Sequence, residues 1–115
     1  MARIGLKPEE LAGFLDKLRD FPEVQLAGVM THFANADLAD REFNAHQLQH
    51  FQQCLNVIEA AGHTPRFIHL ANSAAVLSFV QAHQNLVRPG LMLYGLNPMK
   101  ETSHHKRLET VLRFV

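Results

Sequence analysis

Three groups of residues in this 115-residue chain have types suited to chemistry, and each lies at the end of, or within, an apolar segment. The first is Thr31-His32-Phe33; the second is His69 followed by Ala71, Asn72 and Ser73; the third is Arg88-Pro89-Gly90, running on to Tyr94. Asn72 and Ser73 precede a short helix-forming run, and a helix start offers backbone N–H groups that can hold a phosphate together with a hydroxyl. Gly90 lets a ligand approach the backbone closely. Arg88 sits inside an apolar run, and a buried guanidinium needs acceptors around it. Brought together, a phosphate donor set, an arginine and a histidine point to a phosphorylated aromatic or sugar ligand.

Each residue also has a purely structural use. Ser73 suits a helix N-cap, His32 a hydrogen-bonded core histidine, and Tyr94 a strand-end aromatic with its hydroxyl in water. His46 and His50 stand four apart, a spacing that can bind a metal, but Gln47 occupies the place of the glutamate in the zinc-protease signature. With Gln49, Gln52 and Gln53 nearby, that stretch reads as a polar, solvated helix face, and no metal site is expected. His104 and His105 fall in a polar linker, Cys54 reads as a small core residue, and no Gly-x-Ser-x-Gly elbow is present.

The elements that must position these groups follow from periodicity. Residues 7–21 carry Leu11, Phe14, Leu15 and Leu18 at helical spacing, with Pro8 suited to the first position and Glu9 and Glu10 favourable in the first turn. Residues 24–33 are mostly apolar, which predicts a strand buried on both faces. Phe43, Leu48, Phe51, Leu55 and Ile58 predict a long amphipathic helix from Arg41 that ends at Gly62. Residues 65–70 predict a second strand, 74–80 a short helix, and 85–94 a third strand broken by Pro89 and Gly90. Strands alternating with helices imply βαβ units and a parallel sheet, in which sites form at the C-terminal strand ends.

Composition bounds the reading. Eleven Lys plus Arg balance eleven Asp plus Glu, which excludes a basic nucleic-acid arm or an acidic tail as the main theme. A hydrophobic fraction of 47% with 19% charged residues is that of a globular domain. No window offers the ~20 apolar residues of a membrane helix, and the N-terminus lacks a hydrophobic signal core. The expectation is a soluble, cytoplasmic protein with no nucleic-acid or membrane partner. One cysteine excludes an internal disulfide framework. A closed (β/α)8 barrel takes ~250 residues, so only part of one fits here.

Jointly, the motifs Met1-x-Arg3-Ile4-Gly5, Thr31-His32-Phe33-Ala34 with Asp37, His69-Leu70-Ala71-Asn72-Ser73-Ala74-Ala75 and Arg88-Pro89-Gly90-Leu91-x-Leu93-Tyr94-Gly95 resemble alanine racemase in order and spacing. The resemblance implies an α/β fold that is part of a TIM-type barrel, roughly its last three β/α units. Residues 1–98 would be the second half of the pyridoxal-phosphate barrel, and 99–115 a linker and first segment toward a C-terminal β-domain. It further implies pyridoxal 5'-phosphate as cofactor, alanine as substrate, a homodimer in the full-length family, and a role in supplying D-alanine for peptidoglycan.

Carried over residue by residue, the resemblance places Arg3 near the cofactor's phenolic oxygen and the substrate carboxylate. His32 would pack on the pyridine ring and reach toward Arg88, and Arg88 would face the ring nitrogen. Ser73 would hold the phosphate with the N–H groups of Gly90 and Leu91, and Asn72 would shape that loop. A guanidinium stays protonated and has no proton to give the ring nitrogen, so the ring is a weaker electron sink. Racemisation needs a base on each face of Cα. The family's Schiff-base lysine and opposing tyrosine have no counterpart among Lys7, Lys17, Lys100, Lys106 and Tyr94. The expectation is a fragment of the enzyme that does not racemise alanine by itself. The competing readings are a non-enzymatic pyridoxal-phosphate barrel protein and an inactive interaction module.

Overall fold

A computed structural model describes residues 4–38, 40–99 and 108–111. Arg3, the polar run 100–107 and residues 112–115 lie outside the described residues.

The chain enters through a 3-10 turn, Pro8–Glu10, with Pro8 at its first position, where its missing N–H costs nothing. The Glu10 carboxylate accepts from the Lys7 backbone N–H at 2.9 Å and so closes the turn. Helix α1 (Leu11–Leu18) continues from it and buries Leu15. Strand β1 (Gly28–Met30) follows, then the long helix α2 (Arg41–Ala60). Asp40 caps α2 by accepting from the Phe43 N–H at 3.0 Å. At the other end Gly62 takes φ +88°, its N–H reaching the Glu59 carbonyl and the His63 N–H the Ile58 carbonyl. This two-bond closure is the left-handed glycine stop expected of Gly62.

Strand β2 (Phe67–His69) pairs with β1 in parallel, with Gly28 opposite Phe67 and Met30 opposite His69. Helix α3 (Ser73–Ser78) and a 3-10 turn, Val80–Ala82, come next. The core between sheet and helices contains Phe33, Phe51, Leu70, Ala71, Ala74, Ala75 and Ala82. Ala74 and Ala75, with Ser73, form the buried face of α3. Phe33, 1% exposed, stacks obliquely on Phe79 with centroids 5.7 Å apart. Burying such a side chain contributes about 1.5–3 kcal/mol.

The architecture is α/β with parallel pairing, as expected, but three details differ from the sequence reading. Both strands are shorter than the apolar runs 24–33 and 65–70. Strand β1 is not buried on both faces, since Met30 is 52% exposed while Val29, between its exposed neighbours, packs on the core. Helices cover one face of this pair among the described residues, so burial alternates.

The third difference is the largest: residues 85–94 form no strand. Gln84 turns the chain with φ +48°, and the Asn85 side chain then does the pairing, donating to the Arg66 carbonyl at 3.0 Å and accepting from the Ile68 N–H at 2.8 Å. The Arg88 N–H adds one bond to the Ala71 carbonyl at 2.9 Å, after which Pro89 has no N–H to offer. Residues Leu91–Tyr94 close into a 3-10 turn. Beside the outer edge of β1 is a cavity of about 390 Å³ lined by Phe14, Leu15, Val29, Phe51, Cys54 and Ile58 among others. Burial there pushes the Cys54 thiol pKa up, in keeping with a core cysteine rather than a nucleophile.

Candidate functional site

The parallel register carries the ends of β1 and β2 to the same edge, and the segment bearing Arg88 crosses that edge. The Arg88 guanidinium ties all three together. Its Nη2 donates to the Thr31 carbonyl at 2.9 Å, to the Leu70 carbonyl at 3.4 Å and to His32 Nδ1 at 3.3 Å. Its Nη1 donates to His69 Nδ1. Among the described residues no carboxylate lies within ion-pair distance of it.

A guanidinium has donors and no acceptor, so both imidazoles accept at Nδ1 and carry their proton on Nε2 in this arrangement. For His69 the environment favours that neutral form. Burial and then the Arg88 charge hold His69 below the ordinary histidine pKa, and burial also lowers that of Arg88. Of the five guanidinium N–H donors, Nε–H and one Nη1–H have no acceptor among the described residues, which leaves Arg88 able to meet a ligand.

A second cluster lies two residues further on. Ser73 is 6% exposed, and its Oγ accepts from the N–H of Gly90 at 2.7 Å and of Met92 at 3.4 Å. With both lone pairs used, the hydroxyl proton remains to donate. The Leu91 N–H has no acceptor among the described residues. A Cβ built on Gly90 would meet nothing closer than Ser73 Oγ at 3.8 Å, so packing within the chain does not demand glycine there. The space a side chain would fill lies beside a hydroxyl and an unused N–H, a donor set that fits a phosphate.

The sequence offers both Asn72 and Ser73 as caps of this helix, and the structure uses the first. Asn72 is the cap, its Oδ1 accepting from the Ala75 N–H at 3.0 Å, and Ser73 is the first helical residue, with its hydroxyl turned to the Gly90 loop. His32, Asn72, Ser73, Arg88, Gly90 and Leu91 thus fall in one neighbourhood at the strand ends, while Arg3 is outside the described residues. Tyr94 is exposed, and its carbonyl accepts from the Val111 N–H at 3.3 Å.

Two members of this neighbourhood were assigned no contact to the cofactor or to Arg88 by the sequence reading. His69 is a partner of Arg88; its position at the end of a strand, directly before Leu70-Ala71-Asn72-Ser73, was the available signal. Gln47 is not part of a solvated face. It is half-buried, donates through Nε2 to the His32 carbonyl at 2.7 Å and accepts through Oε1 from the Ala34 N–H at 3.2 Å. Its neighbours His46 and His50 are exposed, with ring centroids 4.1 Å apart. Among the described residues no three His, Cys, Asp or Glu side chains are grouped to hold a metal.

Residues 1–98 match the family model described as alanine racemase, N-terminal domain. The chain belongs to the alanine racemase family. Alanine racemase of Desulfovibrio desulfuricans is 40% identical over 113 residues, covering 98% of this chain and 30% of the relative. That of Nitrosospira multiformis is 44% identical over 104 residues, 90% of this chain and 28% of the relative. Among solved structures, alanine racemase of Bacillus anthracis with bound L-Ala-P superposes with a TM-score of 0.85 at 40% identity, over 96% of this chain and 29% of that one. Alanine racemase of Clostridium difficile in complex with cycloserine gives 0.82 at 33% identity, over 96% and 30%. The chain therefore spans about three tenths of the length of the alanine racemases it matches. Among the described residues no helix is long and apolar enough to cross a membrane.

Proposed function

We propose that this chain supplies the cofactor-holding part of a pyridoxal-phosphate-dependent alanine racemase, interconverting L- and D-alanine, in a cytoplasmic homodimer with a TIM-type barrel. The observation that carries the reading is the pairing of two complementary sites two residues apart on one loop. Arg88 presents unused guanidinium donors over neutral acceptors, and the Ser73 hydroxyl and the Leu91 N–H form a pocket of neutral donors, the Gly90 N–H being already given to Ser73 Oγ rather than left for a phosphate. That is the polarity of a ligand with a basic ring nitrogen at one end and a phosphate at the other.

Pyridoxal phosphate, when bound, supplies an electron sink for the carbanion left at the substrate Cα. The chain's own residues determine how strong that sink is. Arg88 would meet the ring nitrogen as a donor that keeps its proton. The neutral His32 and His69 supply acceptors for Arg88 without adding a carboxylate that would draw the guanidinium away from the ring. Ser73 would donate its hydroxyl proton to a phosphate oxygen, and the Leu91 N–H would add a second donor. Asn72 holds the start of α3, and with it Ser73, in place. By the resemblance, Arg3 would meet the substrate carboxylate. The two bases that remove and return the Cα proton have no counterpart in this sequence, so the chain is expected to hold the cofactor without turning alanine over.

Titration with pyridoxal phosphate, followed by absorbance, with pyridoxal as the control lacking phosphate, tests the site. Saturable binding that depends on the phosphate is expected. Equal affinity for the two compounds would overturn the assignment of Ser73 and Leu91. Exchange of the alanine α-proton for deuterium by this chain alone, above the rate given by free pyridoxal phosphate, would overturn the claim that the bases lie outside it.

A further inference from the structure

The His32 ring reaches Arg88 from a stretch of backbone that has already left the sheet. The last ladder bond joins the Thr31 N–H to the His69 carbonyl at 3.3 Å, and beyond it the His32 carbonyl and the Ala34 N–H point at α2. Gln47 meets both. In a parallel ladder a residue donates to the carbonyl before its opposite number and accepts from the N–H after it. The Gln47 carboxamide follows that pattern around Phe33, donating to residue 32 and accepting from residue 34. It takes the place of a strand residue where no strand pairs among the described residues. A carboxamide offers a donor and an acceptor side by side without needing to gain or lose a proton.

We propose that Gln47 is a positioning residue of the cofactor site: by clamping the backbone on both sides of Phe33 it sets the His32 imidazole against the Arg88 guanidinium. The buried Phe33 ring, one residue along, and the bonds to the Thr31 and Asn35 carbonyls also anchor this segment. Helix α2 carries the clamp rigidly, since it is 20 residues long and capped by Asp40. The proposal rests on the cofactor reading for its purpose, but its geometry can be tested without cofactor.

The test compares Q47M, which removes both clamp bonds, with Q47E, which keeps the acceptor and loses the donor, in the full chain. Two readouts are independent of activity: the 15N resonance of His32 Nδ1 in histidine-labelled protein and the hydrogen-exchange rate of the Ala34 amide. The His32 resonance is expected to shift in both variants. Ala34 exchange should accelerate by roughly tenfold in Q47M, the worth of one such bond, and stay near wild type in Q47E. General destabilisation would move both readouts together in both variants. An unchanged His32 resonance in Q47E and Q47M overturns the proposal, as does unchanged Ala34 exchange in Q47M. If Q47M does not fold, the Q47E pair of readings decides alone. Pyridoxal-phosphate affinity should fall about three- to tenfold with the shifted histidine. The spectroscopic pattern without any cofactor binding by the wild type supports the clamp and overturns the functional reading instead.

Discussion

Replacing Arg88 by methionine, which is of similar length and uncharged, asks whether the guanidinium ties the strand ends together or is merely tolerated there. Its removal leaves the Thr31 and Leu70 carbonyls and two imidazole nitrogens without their donor. The Thr31 bond, at 2.9 Å, is well formed and part-buried; a fully buried acceptor losing such a partner costs about 1–3 kcal/mol, and a part-buried one falls in the lower part of that range. The Leu70 and His32 contacts, at 3.4 and 3.3 Å, are longer and contribute less. Against these losses, methionine removes the desolvation of a cation whose burial lowers its pKa, and replacing a buried charge by an apolar group recovers part of that cost. The balance comes to a loss of about 2–4 kcal/mol, which lowers the folding equilibrium constant by roughly 30- to 700-fold. Arg88→Lys keeps the charge and one or two of the bonds, so about half that loss is expected. Urea unfolding at pH 8 measures both variants, with an unchanged slope showing that the same surface is exposed. Arg88→Met within about 0.5 kcal/mol of wild type, or more stable, would refute the reasoning, because desolvation would then outweigh the tie.

Three further outcomes follow from the same geometry. His69 has its folded pKa depressed, so its contribution is complete above the unfolded value of about 6.5 and is lost as pH falls through the lower folded value; His69→Asn, which keeps an acceptor but does not titrate, should flatten the fall in urea midpoint between pH 8 and 5, and an identical slope would contradict this. Ser73→Ala leaves the Gly90 and Met92 N–H groups without their acceptor; it should cost about 1–2 kcal/mol in urea unfolding and weaken pyridoxal-phosphate binding roughly tenfold while leaving pyridoxal binding unchanged. Gly95 has φ +76° and lies against the Glu109 carbonyl, so Gly95→Ala should destabilise by more than about 1 kcal/mol and expose residues 108–111 to limited proteolysis.

Much of this arrangement was legible because its causes are local. Pro8, Asp40 and Gly62 each act through the backbone of their own turn, so the starts and stop they set can be read within a few residues. The motif residues His32, Ser73 and Arg88 could be gathered because strands in a parallel sheet all present their C-terminal ends on one side. What went unread was which atoms meet. Asn72 and Ser73 are both good caps, and nothing in the local sequence says which side chain stays with the helix and which turns to the Gly90 loop. Burial of β1 was overestimated for a related reason: an apolar run records what the chain can cover, whereas coverage depends on elements elsewhere.

The missing third strand and the misread Gln47 have a common origin. Asn85 donates to the carbonyl of residue 66 and accepts from the N–H of residue 68, around Phe67, as Gln47 does around Phe33. Both carboxamides stand in for backbone of a parallel neighbour, one on the side of β2 where Arg88 arrives and one past the end of β1. Hydrophobic periodicity detects strands by the side chains they bury, so it has no term for a side chain that performs a backbone's task. The substitution also has a structural logic. A continuing strand would impose its own register on residues 85–90, with side chains alternating between faces. A single amide anchor followed by Arg88, Pro89 and Gly90 instead frees the segment to send a guanidinium across the strand ends and then bend back over Ser73. The loss of ladder pairing in this segment is thus the condition for Arg88 and the Ser73 pocket to lie side by side.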